Sequence, residues 1–122
     1  MGFPSPAKDY QEDVIDLTKL LVRHPSATFY FRVSGDSMRN AFIPDNALLV
    51  VDRSVKVTSG MIVVAVVNGE FTVRRIVQTA RSWVLHPENP AYKPVPVTEE
   101  MDMQIWGVVT AIVINLFNNS SL

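Results

Sequence analysis

The chain has 122 residues, 48% of them hydrophobic, and its 11 basic side chains nearly balance 12 acidic ones, for a net charge of -1. That size and composition fit one globular domain with its own core, and they exclude bulk disorder. Near-neutrality also argues against a protein whose main task is gripping nucleic acid through its phosphates, which takes a broad basic face, and leaves room only for a small local basic patch.

Cysteine is absent, so there are no disulfides, thiolate metal sites or cysteine nucleophiles. His24 and His86 stand far apart and lack the spacing of a metal-ligating pair, so neither a metal nor any other cofactor is expected. The longest apolar runs, 61–67 and 105–117, fall short of the roughly 18 residues a membrane span needs. The N-terminus lacks the basic-then-apolar pattern of a secretory signal. A cytoplasmic protein without membrane contact is expected.

Residues 1–10, with Pro4 and Pro6 between Gly2 and Asp9, read as a flexible N-terminal arm ahead of a single domain over 11–122, because each proline biases its predecessor away from helix. Over 13–23 the apolar residues Val14, Leu17, Leu20 and Leu21 recur at helical spacing. This predicts one short helix, which Pro25 ends. The period then changes to two: Phe29, Phe31 and Val33 alternate with Tyr30, Arg32 and Ser34, which predicts a half-buried strand. A Gly-Asp turn in SGDSM at 34–38 breaks the pattern, and Pro44, Asp45 and Asn46 form a second turn before a strand over 47–51.

The apolar run 61–67 is short enough for a buried strand, and it meets 71–77 across Asn68-Gly69, a strong hairpin signal. Strands over 82–86 and 105–116 follow, separated by a loop holding Pro87, Pro90, Pro94 and Pro96. The fold class is mostly β, with seven or eight strands and one helix in a single domain. The last strand is long, very apolar and near a chain end; it is either a dimer contact or plain core.

Chemically, the outstanding residue is Ser37. A serine in a turn directly after a strand, with Gly35 allowing a tight backbone and Met38 offering an apolar wall, can present an activated hydroxyl. A turn serine that simply caps a backbone N–H has the same local pattern.

Longer stretches separate these readings. GFPSPAKDYQEDVIDLTKLLVRHPSATFYFRVSGDSM, PDNALLVVDRS and VVNGEFTVRRIV resemble the UmuD family, relatives of the LexA-type self-cleaving serine peptidases, over nearly the whole chain. The resemblance implies a LexA/UmuD-like set of strongly bent β-sheets. It also implies that Ser37 is the nucleophile position and that the general-base lysine falls at Arg74. Two departures stand out. Family members begin with a further arm ending in a Cys-Gly bond that is cut to give the active form; this sequence reads Met1-Gly2-Phe3, as expected of a shortened UmuD'-type form. A phage- or plasmid-borne relative made in that form, or a trimmed chain, would look like this.

The second departure is Arg74 itself. A Ser–Lys pair works because a desolvated lysine can lose its proton. Arginine, with an ordinary pKa of about 12.5 or more, would cost at least about 7 kcal/mol to neutralise near pH 7. Arg75 faces the other side of its strand, and Lys8, Lys19, Lys56 and Lys93 match no catalytic position of the family. The catalytic pair Ser37 and Arg74 is therefore expected to be inactive, with Arg74 in an ion pair or hydrogen-bonded to Ser37.

By resemblance, the expected function is that of a non-catalytic accessory subunit of an error-prone UmuC-type translesion polymerase in SOS mutagenesis. The expected partners are a second copy in a homodimer, the polymerase, RecA filaments and a full-length UmuD in a heterodimer, with DNA engaged only indirectly. The alternative is an active self-cleaving or trans-acting peptidase of the LexA type that uses an unrecognised base. A detached repressor dimerisation domain is disfavoured, since one short helix leaves no room for a helix-turn-helix.

Overall fold

The structure is a computed structural model and describes residues 13–117. The arm expected over 1–10, and both ends of the domain expected over 11–122, lie outside the described residues. Seven strands form a single antiparallel sheet: β1 (Thr28–Arg32), β2 (Leu48–Asp52), β3 (Ile62–Val67), β4 (Glu70–Gln78), β5 (Trp83–His86), β6 (Val95–Pro96) and β7 (Met103–Val113). Their order across the sheet is β1-β2-β7-β3-β4-β5-β6. The mostly-β expectation with one short helix holds.

The β3–β4 hairpin is where local sequence dictates most. Asn68 and Gly69 both adopt positive φ, 49° and 84°. That is the twist a two-residue hairpin needs and most residues resist. Val67 and Glu70 close it in register. The apolar run on β3 is continuous because both faces of the strand are covered. Val64 packs with Met38, Ile43, Ala47, Leu49 and Val51, while Val63 and Ala65 pack with Ile76, Leu85 and Val108. Each fully buried large side chain of this kind contributes roughly 1.5–3 kcal/mol.

The last strand is central rather than edge: β7 lies between β2 and β3, hydrogen-bonded on both sides, with only Gly107 and Val108 of it buried. Its register shifts twice, once against β3 between Gly107 and Ile105, leaving Trp106 over, and once against β2 between Ala111 and Val109, leaving Thr110 over. Bulges of this type bend a strand and raise its twist. The strand stops at Val113, short of the apolar Leu116 and Phe117, and both of these are exposed.

The helix is shorter and less buried than its periodicity predicts. Helix α1 covers only Leu17–Leu21 and has no buried residue; Leu17 is 63% exposed and Leu20 60%. Asp16 sets the start, accepting a hydrogen bond from the Lys19 N–H at 3.2 Å, as an N-cap does. Val22 is already extended, and a 3₁₀ turn over Pro25–Ala27 follows. Spacing marked an apolar face correctly, but the described sheet does not cover it. A second 3₁₀ turn, Arg39–Ala41, follows the SGDSM segment.

Candidate functional site

Ser37 sits in the β1–β2 connection, and buried neighbours fix its position. Met38, next in the chain, is 1% exposed and anchors one core cluster. On the other side Gly35 has φ 94° and donates its N–H to Asp45 Oδ1 at 2.7 Å, a conformation that glycine adopts without strain. The carbonyl of Ser37 accepts from the Glu88 N–H at 2.9 Å, and the Asp36 carbonyl accepts from Asn89 Nδ2 at 2.9 Å. The turn is thus stitched to the proline-rich loop after β5.

Arg74 reaches the same turn from β4. Its Nη1 donates to Ser37 Oγ at 2.7 Å and to its neighbour's carbonyl, Val73 O, at 2.6 Å. The structure therefore brings together the two residues singled out in the sequence, 37 positions apart. Burial pushes the Arg74 guanidinium down from its ordinary pKa, yet arginine starts so high that it stays charged near neutrality. Arg75 points elsewhere: its Nε pairs with Glu88 Oε1 at 2.6 Å and its Nη1 donates to Gly60 O, as strand alternation requires.

Ser37 and Arg74 line a pocket of about 230 Å³ together with Phe31, Val33, Met38, Val64, Phe71 and Val73 on its apolar side and Arg32, Ser34, Asp36, Thr72 and Tyr92 on its polar side. Neither histidine and none of the described lysines lines it; Lys8 lies outside the described residues. Phe31 and Phe71 continue outward into an aromatic group with Trp106 and Phe29, with ring centroids 4.9–6.2 Å apart. Arg53 stacks over Trp106 at 4.4 Å and donates to its carbonyl.

Tyr92 and Asp36 were not singled out in the sequence. The Tyr92 hydroxyl donates to Asp36 Oδ1 at 2.7 Å, and the Arg74 guanidinium lies 5.9 Å from the Tyr92 ring. The bond to Asp36 raises the Tyr92 pKa, because the neutral phenol is the donor. Only the Asn-Pro and Pro-rich character of the loop pointed toward this segment, and that signals a turn rather than a partner.

His24 belongs to a separate cluster. Its Nδ1 lies 2.6 Å from Asp52 Oδ2, while Asp52 Oδ1 accepts from the Ser54 hydroxyl and N–H. These bonds, the Ser54 hydroxyl first, hold the buried Asp52 carboxyl down at a pKa of about 2. No group of three or more metal-ligating side chains exists among the described residues, and no described helix is long and apolar enough to cross a membrane.

Comparison with known proteins gives a consistent result. Residues 1–110 match the Peptidase S24-like family. The chain is 45% identical over 111 residues to Protein MucA of Salmonella typhimurium, covering 89% of this chain and 75% of that protein. It is 46% identical over 112 residues to Protein SamA of Salmonella typhimurium, covering 92% and 77%. The LexA repressor of Photorhabdus laumondii is 36% identical over 115 residues, but only 57% of that protein is covered.

Proposed function

Since the chain belongs to the Peptidase S24-like family, among relatives of the UmuD type, we propose that it serves as a non-catalytic accessory subunit of an error-prone UmuC-type polymerase in SOS mutagenesis. One observation carries the non-catalytic part. Arg74 donates to Ser37 Oγ, whereas a general base must accept the proton that a serine hydroxyl gives up. The relatives of the UmuD type support the mutagenesis role.

In this reading the peptidase scaffold is kept for its surfaces. The polymerase, RecA filaments, a second copy of the chain and a full-length relative are its partners, and DNA is engaged only through them. The competing reading is a working peptidase with an unrecognised base; among the described residues that line the pocket, no lysine or histidine favours it.

The test is damage-induced mutagenesis in cells that lack their own UmuD but keep the polymerase, supplied with this chain or with Ser37→Ala. Restoration by both is the expected result. Restoration by the wild type alone would mean that the serine does chemistry, and restoration by neither would remove the polymerase partnership.

A further inference from the structure

The Ser37–Arg74 pocket carries charges of both signs, Arg32 and Arg74 against Asp36. Arg75 pairs with Glu88, whereas Arg74 has no carboxylate within ion-pair distance among the described residues. Of its five N–H bonds, those on Nη1 go to Ser37 Oγ and Val73 O. Those on Nε and Nη2 make no hydrogen bond among the described residues. The acid that shares the pocket, Asp36, is engaged by the Tyr92 hydroxyl. A half-buried guanidinium cannot relieve its desolvation by losing a proton, so an anion on its open edge would stabilise it. Met38 also lines the pocket; it is 1% exposed and its backbone N–H has no acceptor among the described residues, and buried amides rarely go unpaired.

We propose that this pocket binds the free C-terminal carboxylate of a peptide that ends in an apolar residue. A planar guanidinium with an open Nε–Nη2 edge matches a carboxylate's two oxygens. A phosphate dianion fits less well, because Asp36, which shares the pocket, repels a second negative charge. Phe31, Val33, Val64, Phe71 and Val73 supply the wall for the terminal side chain. At about 230 Å³ the pocket is smaller than those that enclose drug-sized ligands, which suits a peptide end. The inference rests on the idle Ser37–Arg74 pair of the preceding reading, since a pair that cleaved would release such an end rather than hold it.

The experiment is calorimetric titration of the full chain at pH 7 with acetyl-Ala-Ala-Leu carrying either a free C-terminus or a C-terminal amide, with sodium acetate as a third ligand. The free acid should bind about tenfold or more tightly than the amide, the effect of a charge-assisted hydrogen bond. Acetate should bind more weakly than the acid peptide. The acid preference should vanish in both Arg74→Met and Arg74→Gln, two variants chosen so that one misfolded protein does not decide the result. Equal binding of acid and amide, a preference that survives both substitutions, acetate matching the peptide, or no binding at millimolar peptide would each overturn the proposal. Mass spectra of the recovered peptides keep the two readings apart. Cleavage by the wild type would overturn the idle pair, whereas intact peptides without an acid preference would overturn the carboxylate site alone.

Discussion

The hydrogen bond between Arg74 and Ser37 runs from guanidinium to hydroxyl oxygen, 2.7 Å from Nη1 to Oγ. It occupies a lone pair of the oxygen and leaves the hydroxyl proton without a base. Nucleophilic serine chemistry needs the opposite arrangement, with the hydroxyl as donor. The relationship rests on one side chain, so a single substitution addresses it.

Arg74→Lys should therefore introduce cleavage of a relative's Cys-Gly-containing arm supplied in trans. Half-burial lowers a lysine from its ordinary value of about 10.4, so the rate should climb as pH rises from 7 toward 10. Cleavage followed on gels across that range checks it. A folded but inert Arg74→Lys protein at pH 10 would mean that more than the base has been lost.

Asp52 makes a separate prediction about acid stability. Its carboxyl titrates at about 2 in the folded chain against 3.8 ordinarily, so the folded state favours the ionised form. The resulting stability is fully present above about pH 4 and is lost as pH falls through 2. Asp52→Asn should cost about 1–2 kcal/mol at neutral pH. The gap from wild type should close as pH falls from 4 to 2, as measured by urea unfolding at each pH.

Gly107→Ala should destabilise the sheet. A Cβ there would lie 2.6 Å from Val51 Cγ1 and 3.2 Å from Arg53 Cγ, and Val51 is fully buried with no room to retreat. Overpacking of this kind costs about 1–3 kcal/mol. A lowered Tm, partly recovered when Val51→Ala is added, is the expected result.

The Arg75–Glu88 pair should matter locally and little globally. Both side chains are partly exposed, so Glu88→Gln should change global stability by less than about 1 kcal/mol. That pair nonetheless ties β4 to the loop whose Glu88 N–H bonds the Ser37 carbonyl. Hydrogen exchange at the Glu88 amide should quicken several-fold in the variant while core amides stay unchanged.

Most strands were legible because their signals are local. Asn68-Gly69 closes its hairpin by its own φ preferences, and the Phe29, Phe31 alternation reports one covered face. Helix α1 was overread because spacing records which residues are apolar, not whether anything covers them; Leu17 and Leu20 stay exposed. Strand β6, only Val95–Pro96, is held by its pairing with β5, and a proline within two residues carries no strand signal. The Ser37–Arg74 pair was reachable through the motifs. The Tyr92–Asp36 bond spans 56 positions between two loops, and no periodicity encodes such a contact.

The place of β7 has a consequence for how the chain assembles. Strands β1 and β2 pair with each other, and β3 through β6 form a second ladder. β7 is the strand that joins the two. Ser37 belongs to the first group and Arg74 to the second. During synthesis both groups leave the ribosome before the strand that unites them, so neither half can hold the pair on its own. Completion of the last strand joins the two ladders, and a chain stopped before Met103 should hold Ser37 near Arg74 only through the bonds of Glu88, Asn89 and Tyr92 to the serine turn, and so more loosely.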